Sequence, residues 1–186
     1  MRKGEANAQF RGCIASASLD LDGSGKAKVN SGSGFLDHML HALARTALFD
    51  LTAKADSGFF KTEALGSAIG LALDNVLADR SGIARYGSAS VPMDEALAEV
   101  ALDFSGRPYL VFAGEFRGER IGDFEAQQIR PFLEAIANNG RLTLHVRLYG
   151  ENDHHKAESI FKALGLAMAQ AVSKKGKSVP STKGVI

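Results

Sequence analysis

Apolar residues recur along this chain at two alternating periods, and each change of period marks a change of element. Leu36, Met39, Leu40 and Leu43 fall at helical spacing and predict a helix over 35–46. Leu65, Ile69, Leu73, Val76 and Leu77 form the buried stripe of a second helix over 60–78. A third helix is expected over 124–137, interrupted near Pro131 and ended by Asn138-Asn139-Gly140, residues that tolerate positive φ. A long fourth helix is expected over 155–173. Between the helices lie strand-like segments at 14–21, 26–30, 48–54, 88–91, 98–104, 109–116 and 142–149. Asp22-Gly23-Ser24-Gly25 reads as the turn of a hairpin joining the first two, and Gly106-Arg107-Pro108 as the turn between 98–104 and 109–116.

The order strands, helix, strand, helix occurs twice, which suggests duplication. Laying residues 59–76 over 154–171 pairs identical residues at Lys61/Lys156, Glu63/Glu158, Ala68/Ala163, Gly70/Gly165, Leu71/Leu166 and Ala72/Ala167. Leu65/Ile160, Ile69/Leu164 and Leu73/Met168 keep the apolar stripe in register, and Phe35-Leu36 faces Phe132-Leu133 in the earlier helices. The expected fold is therefore α+β, a tandem duplication with halves at 1–87 and 88–186 that share one structural unit. Shared helix periodicity with coincidental identities is the alternative.

Composition narrows the functional classes. Hydrophobic residues make up 45% of the 186, enough for a sizeable core. A net charge of +1 provides no global field for nucleic acid or an anionic membrane, so any anion must be held by a local cluster. The single cysteine, Cys13, excludes an intrachain disulfide framework and fits a reducing compartment. No apolar run is long enough to span a bilayer, and residues 1–10 carry no apolar leader segment. A cytoplasmic location is the expectation.

Chemistry concentrates at Asp153-His154-His155-Lys156-Ala157-Glu158. On a helix, His154 and His155 stand four and three residues from Glu158, so their side chains share a face. Imidazole and carboxylate are ligands for a divalent first-row metal. The same residues also suit a solvated helix start with Asp153 as N-cap. The repeat sharpens the contrast: the first copy has Phe59-Phe60 before Glu63 where the second has His154-His155 before Glu158. A phenyl ring offers no lone pair to a metal, and the two rings are expected to fill the space with apolar volume.

The segments GFLDHML (34–40), GIARYG (82–87), PMDEALAEVALDFSGRPYLV (92–111), IGDF (121–124), LTLH (142–145), GENDHHKAESIFKALG (150–165) and PSTKG (180–184) occur in an order that resembles the imidazoleglycerol-phosphate dehydratase family. The resemblance implies a duplicated α+β fold, a lyase of histidine biosynthesis, and a large hollow homo-oligomer of twenty-four subunits. It implies two manganese ions, which stabilise an imidazolate form of the substrate while water leaves the glycerol-phosphate arm. Carried over residue by residue, the metal positions are His38, Glu63, His145, His154, His155 and Glu158. The phosphate positions are Arg85, Arg107, Ser181 and Lys183, with arginine forks suited to phosphate oxygens. Asp94 and Glu95 resemble site-lining residues, and Asp94 and Glu158 are the candidate catalytic carboxylates.

This chain departs from the family pattern chiefly in its first half. The first His-His-x-x-Glu reads Phe59-Phe60-Lys61-Thr62-Glu63, preceded by Ser57-Gly58 in place of acidic residues. Ala42 replaces a glutamine, Thr46 stands near a missing histidine, and Gln127 stands for an acidic residue. No glutamate falls in register around Gln9-Phe10-Arg11-Gly12-Cys13. Two functions fit these residues. One is a divergent dehydratase with fewer than two metals per chain; the other is a non-catalytic relative that assembles and binds a phosphorylated small molecule.

Overall fold

The computed structural model describes residues 2–182, 184 and 186. In chain order the elements are β1 (Lys3–Phe10), β2 (Cys13–Asp20), β3 (Ala27–Asn30), α1 (Gly34–Ala47), β4 (Asp50–Ala55) and α2 (Lys61–Leu77), followed by β5 (Tyr86–Met93), β6 (Ala96–Asp103), β7 (Tyr109–Ala113), β8 (Arg120–Ile121), β9 (Phe124–Glu125), α3 (Ile129–Asn139), β10 (Thr143–Tyr149) and α4 (Asp153–Ala171). The two large sheets have the orders β1-β2-β4-β3 and β5-β6-β10-β7, so the halves repeat one topology. In each sheet the outer pair, β3 with β4 or β7 with β10, runs parallel and the rest run antiparallel.

The expected hairpin at residues 22–25 does not form. Asp50 at the head of β4 accepts the backbone N–H groups of Ser24 (2.8 Å) and Lys26 (3.0 Å), which leads the chain past β4 to its far edge. There β3 lies parallel to β4, the geometry that a helical crossover through α1 permits. The second half repeats this: the N–H of Tyr109 donates to the Leu142 carbonyl (3.1 Å), and Gly106-Arg107-Pro108 carries the chain from β6 past β10 to β7. Pro131 does not interrupt α3; it sits in the first turn, where its missing N–H costs no helical bond. Residues 124–125 belong to the short β8–β9 hairpin instead of the helix.

Strand β1 has no counterpart in the hydrophobic pattern, because its inward residues are Gly4, Ala6 and Ala8. Their small size suits the contact. A Cβ on Gly4 would fall against the Ala72 carbonyl oxygen of α2, and one on Gly87 of β5 against the Ala167 carbonyl oxygen of α4. Glycine thus lets a helix lie close on the first strand of each sheet.

Helix α2 rests on β1 and β2, and α4 on β5 and β6. The helices then pack across the halves, α1 on α4 and α2 on α3. Four helices therefore lie between two sheets whose outer faces are exposed, as the alternating burial of β2 and β10 shows. Phe132 of α3 and Phe161 of α4 stack at 5.7 Å within this core.

Polar contacts also tie the halves together, two of them through buried or capping charges. Asp123, on the β8–β9 turn, accepts the Ser33 hydroxyl (2.9 Å) and the N–H groups of Gly34 (2.6 Å) and Phe35 (3.0 Å) at the start of α1. Burial pushes this carboxyl up, but those donors outweigh it and the net shift is downward, so the charge sits at the positive end of α1. The fully buried Arg80 joins Asp74 of α2 to the Gly140 carbonyl at the end of α3.

At the α1–α4 crossing, a Cβ on Gly165 would lie 2.6 Å from the Leu43 carbonyl oxygen and nearer still to the Thr46 hydroxyl. Gly165→Ala is expected to cost about 1–3 kcal/mol in urea denaturation. Gly176→Ala, with no neighbour around its added Cβ, is expected to stay within about 0.5 kcal/mol.

Candidate metal and anion site

Helix α4 owes its first turn to Asn152, whose extended backbone and side-chain oxygen cap the N–H groups of His154 (2.9 Å) and His155 (3.3 Å). His154 and His155 thereby stand inside the helix, one turn ahead of Glu158. The close α1–α4 crossing brings in His38. Both His38 Nε2 (3.3 Å) and His154 Nε2 (3.1 Å) meet the same oxygen of Glu158, and Lys162 Nζ takes the other at 2.7 Å.

One ligand atom from each of His38, His154 and Glu158 falls within 4.8 Å of the others, the one such set of three among the described residues. The Glu158 side chain is only 10% exposed, while His38 and His154 are 51% and 43% exposed, so the cluster is anchored below and open above. Burial pushes the Glu158 carboxyl up; the bond from Lys162 and those from the two imidazoles more than offset this and leave it lowered. A buried anionic oxygen beside two imidazole nitrogens fits a divalent first-row cation, with coordination positions left toward solvent.

The remaining expected ligands lie elsewhere. His155 turns toward the β5–β6 turn, where its Nδ1 is 3.0 Å from Glu95 and its Nε2 is 3.6 Å from Asp94. Asp94 is 78% exposed and touches neither His38 nor Glu158 among the contacts of the cluster. Glu95 is the better-held carboxylate: the N–H groups of Asn152 (2.7 Å) and Glu151 (3.0 Å) donate to it. His145 occupies an exposed position of β10, on the face opposite Leu144, Val146 and Leu148, which point to the helices. Strand alternation therefore keeps it out of the His38–Glu158 cluster within one chain. It lines a shallow cleft of about 450 Å³ on the outer sheet face with Glu99 and Arg147.

In the first half, Ser57-Gly58 stand where Asn152-Asp153 cap α4, and α2 begins only at Lys61, with no side-chain cap. Phe59 and Phe60 are left outside the helix. Phe60 packs edge-on against Phe10 (5.8 Å) and under the Arg11 guanidinium (4.8 Å). Phe59 is 72% exposed, so it does not fill an interior space with apolar volume as expected. Glu63 keeps its place on α2 without an imidazole beside it. Lys61 and Lys156 behave as true equivalents: each donates at 2.8 Å to a carbonyl in the loop before the preceding helix, Gly32 and Glu115.

A second cleft, about 560 Å³, is lined by Arg85, Tyr86, Arg107, Pro180, Ser181 and Thr182. Arg85 makes a fork to Asp103 (2.6 and 3.1 Å), which raises its already high pKa, and donates to the Pro180 carbonyl (2.9 Å). Arg107 is exposed at the rim. Lys183, the fourth expected phosphate contact, lies outside the described residues. Lys162 and Asp103 escaped the sequence reading, although the i,i+4 spacing of Glu158 and Lys162 was a legible signal.

Fold and site together define a duplicated α+β protein with an imidazole–carboxylate cluster and a separate two-arginine cleft. The family model described as imidazoleglycerol-phosphate dehydratase matches residues 31–168, and the chain belongs to that family. It is 44% identical over 191 residues to the imidazoleglycerol-phosphate dehydratase of Methanosarcina barkeri, covering 100% of both chains. It is 49% identical over 178 residues to that of Methylorubrum extorquens, covering 91% of each. The crystal structure of the Staphylococcus aureus enzyme superposes with a TM-score of 0.85 at 34% identity, over 93% of this chain and 99% of that one. The Pyrococcus furiosus enzyme, solved in complex with (S)-C348, gives 0.80 at 29% identity, over 97% and 100%. No helix among the described residues is long and apolar enough to cross a membrane.

The N–H of Asn152, then the His155 ring, hold the Glu95 carboxyl at about 2 against an ordinary 4.5. A carboxyl lowered by folding adds stability above its ordinary value and loses it as pH falls. That contribution is expected to disappear between pH 4.5 and about 2. Thermal melts across this window should show a flatter profile for Glu95→Gln than for the wild type.

Proposed function

We propose that this chain is a divergent imidazoleglycerol-phosphate dehydratase, a lyase of histidine biosynthesis that keeps its anion side and one half of a metal site. The observation that carries this is the inequality of the two repeats. His38 and His154 flank Glu158, whereas Ala135 and Phe59 hold the corresponding positions around Glu63. His38, His154 and Glu158 would hold manganese, which when bound supplies Lewis-acid stabilisation to negative charge on an imidazole ring. Arg85, Arg107 and Ser181 would hold the phosphate of the substrate and fix its glycerol arm.

The same proposal includes assembly into a large homo-oligomer. His145 faces outward on β10, so it reaches a metal cluster only where copies of the chain meet. Gel filtration should show an assembly far larger than the 19.7 kDa chain.

Depleted charge stabilisation has a kinetic cost. Removing one stabilising group commonly costs ~100-fold or more in turnover. Metal analysis is expected to give fewer than two manganese ions per chain. Dehydration of imidazoleglycerol phosphate is expected to run at least ~100-fold slower than in the Methanosarcina barkeri relative assayed alongside. Two equivalents of manganese with turnover equal to that relative would overturn the proposal. The double substitution Phe59→His with Phe60→His should raise metal content; an unchanged content would show that these positions are not a lost ligand pair.

A further inference from the structure

The two halves differ most in length at one connection. Residues 31–33 join β3 to α1 in the first half, whereas residues 114–128 join β7 to α3 in the second and contain the β8–β9 hairpin. The longer connection reaches across the starts of α1 and α4, the helices that carry His38 and His154.

Toward α4, the N–H groups of Arg117 (3.1 Å) and Gly118 (2.7 Å) donate to Asp153, the residue before His154. The buried Lys156 closes this contact with a bond to the Glu115 carbonyl (2.8 Å) and an ion pair to Asp153 (2.5 Å). Toward α1, Asp123 accepts the Ser33 hydroxyl and the N–H of Phe35 on one oxygen, and the N–H of Gly34 on the other. His38 stands one helical turn beyond Gly34. A chain of rings runs alongside: Phe124 lies 5.8 Å from Phe35, and Phe35 meets the His154 imidazole edge-on at 5.5 Å. One segment therefore grips both helix starts. The distance between His38 on α1 and His154 and Glu158 on α4 is set by that grip as well as by the crossing at Gly165.

We propose that Asp123 is a positioning residue for the metal cluster. It fixes the start of α1 to the segment that also holds α4, and so keeps His38 within ligand distance of His154 and Glu158. Asp123 acts through α1 and not as a ligand. The proposal rests on the reading of His38, His154 and Glu158 as metal ligands.

The test uses the full chain. Affinity for Mn²⁺ is read from the electron paramagnetic resonance of the free ion, and ligand geometry from the visible absorption of bound Co²⁺. Groups that orient metal ligands commonly change affinity 10–100-fold, so Asp123→Ala is expected to weaken Mn²⁺ binding by about that factor. It should also alter the Co²⁺ spectrum at saturation, which a merely structural contact would leave unchanged. Asp123→Asn keeps one acceptor oxygen and turns the other into a donor, so it should fall between wild type and Asp123→Ala. If Asp123→Ala fails to fold, Asp123→Asn decides the matter. Gly70→Ala crowds α2 against the Ile136 carbonyl, away from the cluster. It should lower stability but keep wild-type affinity and spectrum. His38→Ala should itself weaken binding, and adding Asp123→Ala to it should change affinity little, because the ligand through which Asp123 acts is then gone. Wild-type affinity and spectrum in the folded Asp123 variants would overturn the proposal. So would an equal loss in Gly70→Ala, or independent losses in the double variant. If the wild type binds no Mn²⁺, or His38→Ala binds it as the wild type does, the metal reading itself fails and the proposal falls with it.

Discussion

The packing of each half's helices on those of the other half is the constraint on which the molecule depends. A sheet with two helices on one face still exposes the far sides of those helices, and neither half can cover them alone. Crossing α1 over α4 and α2 over α3 buries both sets at once. The crossing of α1 and α4 is close because Gly165 has no side chain to hold them apart. That approach also sets His38 against Glu158, so the site is a by-product of how the core is closed. Neither half contains the cluster by itself.

Much of this was legible in the sequence, and the failures have physical causes. Helix periodicity located α1, α2 and α4 to within a few residues because each buries a regular stripe. The identities at Gly70/Gly165 and Lys61/Lys156 exposed the repeat because both positions bear structural demands that operate twice. Strand β1 stayed hidden because Gly4, Ala6 and Ala8 carry little hydrophobic signal, though they meet a helix backbone directly. The hairpin expected between 14–21 and 26–30 fails because local turn chemistry cannot report a distant partner such as Asp50. Of the expected metal ligands, His38, His154 and Glu158 converge. His145 could be placed on a strand, but which face turns inward depends on the fold around it.

The two repeats differ by more than two imidazoles against two phenyl rings. Asn152 extends α4 by the turn that carries His154 and His155, whereas Ser57 gives α2 no such cap and Phe59 is left in solvent. The added helical turn and the histidine pair therefore occur together in the second half and in neither form in the first. Yet Lys61 still ties the start of α2 to Gly32, just as Lys156 ties α4 to Glu115. The scaffolds beneath the two halves share one shape while the surfaces above them differ.

The contact between Arg85 and the Pro180 carbonyl carries a consequence for the anion cleft. One wall of that cleft is formed by residues 180–182, which are held by a guanidinium that also lines the cleft. Ordering of that segment and occupation of the cleft share a single side chain, so they are thermodynamically linked. An anion that strengthens the Arg85 arrangement also steadies residues 180–182, and anything that pins those residues raises affinity for the anion by the same factor. Residues 180–182 and the fork from Arg85 to Asp103 therefore form one unit, and a change at either is felt at the other.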